Sequence, residues 1–204
     1  MAQKIKNANQ IYFTKEHDRV RRAVADFVKK EINPNVDQWE EDGIAPLPEL
    51  FKKMGRLGFL GIRYDPRYGG QGLDYWYDTV FLEELGHIKA LGLSVAITVQ
   101  THMATPAIYE FGSDYLKNTY LKAAIAGDMV GAIAVTEPDA GSDVAAIRTT
   151  AKKDGGDYLS VALKCISPTA PRRTFTPFWQ EPAMNPATTR SACLWFQPIR
   201  PVSR

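Results

Sequence analysis

The sequence predicts an α+β protein: an N-terminal all-α helical domain, the beginning of a β-barrel-like middle domain, and an irregular C-terminal tail. Three observations carry this. Apolar residues recur at helical spacing between Thr14 and Ala126. β character begins only at Met129, so helices and strands are segregated rather than alternating as βαβ units would. The composition then breaks near Tyr158: residues 1–158 hold all 15 glycines, whereas residues 159–204 hold no Gly, no Asp, one acid (Glu181) and 7 of the 13 prolines. These breaks divide the chain into an arm (1–10), a helical domain (11–127), a partial β domain (128–158) and a tail (159–204).

The first helix starts after Thr14, a good N-cap, and runs to about Ile32. Val20, Val24, Phe27 and Val28 share one face, His17 falls on the outer face, and Asn33-Pro34 stops the helix. Charged residues from Asp37 to Asp42 read as a solvated helix face. Pro46 and Pro48 open a helix from Glu49 to Arg56 with Leu50, Phe51 and Met54 inward. Gly58, Gly61 and "YDPRYGGQG" form a long loop. Next come a helix from Tyr75 to Ile88, striped by Trp76, Val80, Phe81 and Leu85, and one from Leu93 to Tyr109. The latter is apolar nearly all round and is expected to be central and buried. A further helix runs from Asp114 to Ala126. Strands are expected at Met129–Thr136 and Thr149–Lys153, with Asp154-Gly155 marking a hairpin.

Composition narrows the function. A net charge of +2 is too small to point to nucleic acid or an anionic membrane, and no apolar run approaches the roughly 20 residues of a membrane span. The first ten residues lack the character of a transit peptide, and Cys165 and Cys193 have no metal-like spacing. His87 and His102 stand 15 apart with no partners at ligand spacing, so no metal is expected. "YGGQG" lacks the preceding strand and the following "GK[ST]" of a phosphate loop, and "QTHMATP" lies on a helix where packing is the simpler use.

The strongest chemical candidate is "AIAVTEPDAGSD", Ala132–Asp143, a strand running into a polar loop. Thr136 and Ser142 offer hydroxyls, and Gly141 permits close approach of a ligand to the backbone. From local chemistry alone a second reading stands beside it: a capped turn, with Ser142 and Asp143 bonding nearby amides and Glu137 in water.

The segment "AVTEPDAGSD" resembles the signature of the acyl-CoA dehydrogenases. Five flanking elements occur in that family's order: "FVKKEINP" at 27–34, "LFKKMGRLGFLGI" at 50–62, "YGGQGLDY" at 68–75, "EELGH" at 83–87 and "EFGSDYLKNTYL" at 110–121. The resemblance covers residues 11–158. It implies an FAD enzyme that oxidises acyl-CoA thioesters to trans-2-enoyl-CoA, with a glutamate removing the α-proton and the β-hydrogen leaving as hydride to the flavin. By position, Ile133, Ala134, Val135, Thr136, Gly141 and Ser142 would contact the cofactor, and Ser142 also the acyl-CoA. The resemblance further implies an electron-transferring flavoprotein as partner, a homo-oligomer, and a mitochondrial matrix or cytoplasmic location. Members have nearly twice this length, and the catalytic glutamate belongs to a C-terminal four-helix domain that residues 159–204 do not resemble. No catalytic residue is therefore assigned in this chain, which is expected to be inactive alone. The other reading is a non-catalytic helical binding or regulatory fragment. "RYDPR" at 63–67 replaces a commonly acidic pair, with only a surface effect expected.

The tail has a specific explanation in the genetic code. With every codon boundary moved one base earlier, Lys164–Phe175 is compatible with "MYITNGTQADF" and Trp179–Ala187 with "ARTGNEPG". Two of these positions are forced: Trp179-Gln180 must give Ala, and Met184-Asn185 must give Glu. Both suit the family, whose next element resembles "VNGSKMYITNG". The reading is a one-base frameshift just after Tyr158. Sequencing the transcript across codons 155–165 should reveal the displaced base; an uninterrupted frame giving this same translation removes the reading.

Overall fold

A computed structural model of the chain describes residues 12–154, 157–161 and 193–198. Helix α1 (Lys15–Phe27) continues through a wide π-turn (Val28–Ile32) and a short 3-10 turn (Asn33–Asn35) into α2 (Val36–Asp42). After α3 (Leu47–Arg56) and α4 (Tyr75–Leu85), a long helical segment comprises α5 (Leu91–Thr98), a second π-turn (Val99–Ala104) and α6 (Thr105–Phe111). Then come α7 (Asp114–Leu116), a third π-turn (Lys117–Leu121) and α8 (Lys122–Ile125). The strands are β1 (Met129–Ala134), β2 (Thr150–Asp154), β3 (Asp157–Val161) and β4 (Cys193–Pro198). β2 and β3 form the expected hairpin, with Asp154 opposite Asp157. β1 pairs antiparallel with β4, from Met129 opposite Pro198 to Ala134 opposite Cys193. Nine residues of the tail, three in β3 and six in β4, are thus paired strand, where an irregular tail was expected; positions 162–192 lie outside the described residues.

The helical periodicity sets the core. Val24, Phe27 and Val28 of the first stripe, Leu50, Phe51 and Met54 of the second, and Val80, Phe81 and Leu85 of the third are buried in one cluster, apart from Val80, which is buried but outside that cluster. Phe51, Met54 and Phe81 are fully enclosed, so truncating any of them to Ala should cost about 2–5 kcal/mol. Two side chains depart from expectation. His17 is buried: it stacks on Tyr77 with ring centroids 3.9 Å apart, and its Nδ1 accepts the Thr14 backbone N–H at 3.0 Å. A histidine thus takes the place of the usual Glu or Gln in a capping box. Trp76 is 40% exposed, because it lies in the first turn of α4 and meets Tyr12 and Phe13 at the surface. The inward place goes to Asp78.

The α5–α6 segment is central but not covered all round. Ile97, Val99 and Ala104 are buried, whereas Leu91 and Phe111 are largely exposed and Val95 and Met103 partly so. It widens at Val99–Ala104, and in that register the Thr101 carbonyl faces Pro106, which has no N–H to give it. The Thr105 N–H bonds back to Gln100, five residues earlier, and the Tyr64 hydroxyl donates to the Thr101 carbonyl at 3.1 Å. The first π-turn likewise precedes a proline: Asn33 N–H bonds to Val28, and Pro34 follows. The third has no proline after it.

Two glycines bring α3 against the approach to β1. A side chain at Gly55 would collide with the Ala126 backbone, and one at Gly127, where φ is +73°, with the Phe51 carbonyl. Only glycine permits both contacts.

Tyr64 links the loop after α3 to the central helix; its hydroxyl also lies 2.7 Å from Thr105 Oγ1. Burial pushes its hydroxyl up to about 12, partly offset by the Thr105 hydrogen bond. The folded state thus keeps a proton that the unfolded chain releases near pH 10. Stability from this group is complete below pH ~10 and is lost as the pH rises toward about 12, at about 1.4 kcal/mol per unit. Denaturant unfolding over this range should show the decline, and Tyr64→Phe should flatten it while costing about 1 kcal/mol at neutral pH.

Candidate functional site

β1 begins at a helix side chain. Gln100, fully buried in the π-turn, accepts the Gly131 N–H on Oε1 at 2.5 Å. Its Nε2 donates to Met129 O at 3.1 Å and to Ala124 O at 3.3 Å. One amide therefore joins the central helix, the end of α8 and the first residues of the strand. Its own carbonyl is occupied by Thr105, whose Oγ1 donates at 2.6 Å.

At its far end the strand runs into a tight turn. Glu137 N–H bonds to Ala140 O at 2.9 Å, and Ala140 N–H bonds back to Glu137 O at 3.2 Å, enclosing Pro138 and Asp139. This bridge brings Thr136 and Gly141 to corresponding places on the two arms of the turn. The Glu137 carboxylate is turned inward: Oε2 accepts Arg148 N–H at 2.6 Å, and Oε1 accepts Thr149 N–H at 3.0 Å and Thr149 Oγ1 at 2.5 Å. Glu137 is buried, correcting the capped-turn expectation of a solvated side chain, because the returning chain supplies donors to it. Asp143 does cap its own turn, accepting from Ala145 N–H at 3.1 Å. Arg148 also pairs with Asp139 at 3.0 Å, but both side chains are exposed, and such a pair contributes little.

The expected contact residues occupy two environments. Ile133, Val135 and Thr136 are half-buried, while Ala134 is buried and faces the interior. Gly141 and Ser142 are exposed, and the space a side chain at Gly141 would fill holds no protein atom within 4 Å. The wall therefore offers an apolar strand edge, one hydroxyl at Thr136 and bare backbone at Gly141. These groups fit a flat heteroaromatic ring with polar edges. The carboxylate that fixes the turn, and the glutamine that fixes the strand, were not identified as site-forming from sequence. "TEP" and "QTH" carry no local mark of these distant contacts.

Other clusters have structural explanations. In "YGGQG", the N–H groups of Gly70, Gln71 and Gly72 bond to Asp65, Gly61 and Tyr64 carbonyls, so they are not free to cradle phosphate. Arg63, expected to act only at the surface, pairs through Nε with the buried Asp78 at 3.0 Å, and His102 Nε2 lies 2.9 Å from the same carboxylate oxygen. A groove of about 350 Å³ lies between α2 and α5, lined by Trp39, Ile44, Leu47 and Leu93. Among the described residues there is no group of three or more metal-ligating side chains, and no helix is long and apolar enough to cross a membrane.

The fold agrees with comparisons to known proteins. The family description "Acyl-CoA dehydrogenase, N-terminal domain" matches residues 14–128. The chain is 38% identical over 153 residues to a probable acyl-CoA dehydrogenase, YngJ, of Bacillus subtilis (strain 168), covering 74% of this chain and 40% of that protein. Its fold is similar to the crystal structure of an acyl-CoA dehydrogenase from Geobacillus kaustophilus, with TM-score 0.71 and 38% identity over 76% of this chain and 40% of that one. It is also similar to a glutaryl-CoA dehydrogenase from Mycobacterium smegmatis in complex with FADH2, with TM-score 0.72 and 31% identity over 78% of this chain and 41% of that one. The chain belongs to the acyl-CoA dehydrogenase family, and it spans about 40% of the length of these relatives.

The turn should be sensitive to its buried carboxylate. Glu137→Ala strands the Arg148 and Thr149 donors and should lower the unfolding free energy by about 1–3 kcal/mol in denaturant titrations. Asp139→Ala, at the exposed pair, should change it by less than about 1 kcal/mol.

Proposed function

We propose that this polypeptide is the N-terminal share of an FAD-dependent acyl-CoA dehydrogenase, with its helical domain over 11–127 and the start of the β domain over 128–158. The observation that carries the proposal is the double fixation of the strand and loop at 131–142, by Gln100 at one end and by Glu137 at the other. It presents Ile133, Val135 and Thr136 beside an open Gly141-Ser142 backbone. The flavin complex of a related glutaryl-CoA dehydrogenase supports FAD as the ligand. A bound flavin would supply the two-electron acceptor for converting an acyl-CoA thioester to trans-2-enoyl-CoA. Within this chain, Ile133 and Val135 would form an apolar wall along the ring, with Ala134 packed behind it and meeting the cofactor through its backbone. Thr136 would hydrogen-bond its polar edge. Gly141 would let the cofactor approach the backbone, and Ser142 would reach both cofactor and acyl-CoA. An electron-transferring flavoprotein would take up the electrons.

Glu137 does not serve as the base for the α-proton, since its carboxylate is buried and bonded to Arg148 and Thr149. We infer that the 204-residue chain alone binds FAD weakly or not at all and does not turn over acyl-CoA.

A gene whose frame is displaced by one base after codon 158 tests both parts. Its product should be a flavoprotein that acyl-CoA bleaches, while the 204-residue chain should show no flavin absorption. A displaced-frame product that folds but takes no FAD overturns the enzyme reading. An FAD-loaded, active preparation of the 204-residue chain overturns the inactivity.

A further inference from the structure

We propose that Gln100 is a positioning residue for the cofactor-facing segment: it fixes where β1 leaves the helical domain and so sets the orientation of residues 133–136 and the turn beyond them. The inference rests on the flavin reading only for the purpose of that segment; the joint itself stands on geometry.

Gln100 lies in the widest turn of the central helix. The ladder is slipped by one residue here: Thr105 N–H bonds to Gln100 O, and in that register Thr101 O faces Pro106, which has no N–H. Neighbouring hydroxyls complete both carbonyls. Tyr64 donates to Thr101 O, and Thr105 Oγ1 donates to Gln100 O. With its backbone thus held, the Gln100 amide projects toward the chain leaving α8. All of its polar capacity that meets the strand is spent on backbone: the Met129 carbonyl and the Gly131 N–H. An amide both donates and accepts, which a carboxylate or a hydrocarbon of the same length does not do. Gly131 is buried, so losing this acceptor leaves an amide that water does not readily reach.

From Gly131 the chain extends to Glu137, where Arg148 and Thr149 grip the carboxylate. The two clamps bracket residues 133–136, the four positions expected to contact the cofactor. A strand held at both ends moves as a unit, so release at Gln100 should be felt at the second clamp as well as at the first.

Hydrogen exchange resolved by amide tests this on the 204-residue chain. In the wild type, Gly131, Arg148 and Thr149 should exchange through one common opening, with protection alike within about threefold; unrelated protection at the two clamps overturns the proposal. Gln100→Met should speed exchange at all three by tenfold or more while leaving Val80 and Phe81 of α4 unchanged. Gln100→Glu, which keeps an acceptor but gives up both donated bonds and buries a carboxylate, should not restore the protection. Acceleration confined to Gly131, or shared equally by α4, overturns the proposal: the first would make Gln100 a local bond, the second a general stabiliser. If Gln100→Met does not fold, the wild-type comparison decides. No flavin is present in this experiment, so its failure is distinct from failure of the flavin reading, which the displaced-frame product judges.

Discussion

A buried strand cannot leave a helical layer without finding partners for its first main-chain groups, and here one side-chain amide meets that requirement. Gln100 takes the N–H of Gly131 and gives hydrogens to the carbonyls of Met129 and Ala124. Its placement goes with a helix register in which Thr101 O faces Pro106, with the tyrosine and threonine hydroxyls that complete the carbonyls there, and with glycines that let α3 and the Ala126–Gly127 corner touch. The sheet end of the molecule is therefore positioned by a short chain of local necessities. Each begins with a residue that lacks something: Pro106 an N–H, Gly55 and Gly127 a side chain.

Much of the helical part was legible beforehand because its information is local. A stripe such as Val24, Phe27 and Val28, or Leu50, Phe51 and Met54, declares a buried face whatever lies opposite. Capping residues and prolines declare ends in the same way. The errors fall where the answer depended on a distant partner. His17 reads as solvated because a histidine on an outer position usually is; Tyr77, far along the chain, covers it. Trp76 reads as core because it is large and apolar, yet the first turn of α4 projects it outward, and Asp78 takes the interior position with Arg63 and His102. Periodicity identifies faces; it does not identify which side chains meet across tens of residues.

The candidate site divides in the same manner. The strand and its polar loop stood out as a segment, and the family's ordered motifs supplied the meaning that local chemistry had left open. What makes the segment rigid was invisible in the one-dimensional text. Glu137 looked like a surface acid in a turn, and Gln100 looked like one more polar residue on an apolar helix. Both are buried and both bond to backbone. Main-chain partners have no sequence signature, so residues that serve them are the hardest to recognise in advance.

The pairing of β1 with β4 carries one more consequence. Six positions of the compositionally foreign tail lie opposite Met129–Ala134 through main-chain pairing, and the far end of that ladder is a proline, Pro198. A ladder of this kind recognises an extended backbone and is almost indifferent to the letters attached to it. Any extended segment carries the same peptide groups, and with them the ability to lie along a strand edge. The edge of β1 is thus a permissive receptor, met by Cys193–Pro198 through backbone rather than through any fit of side chains.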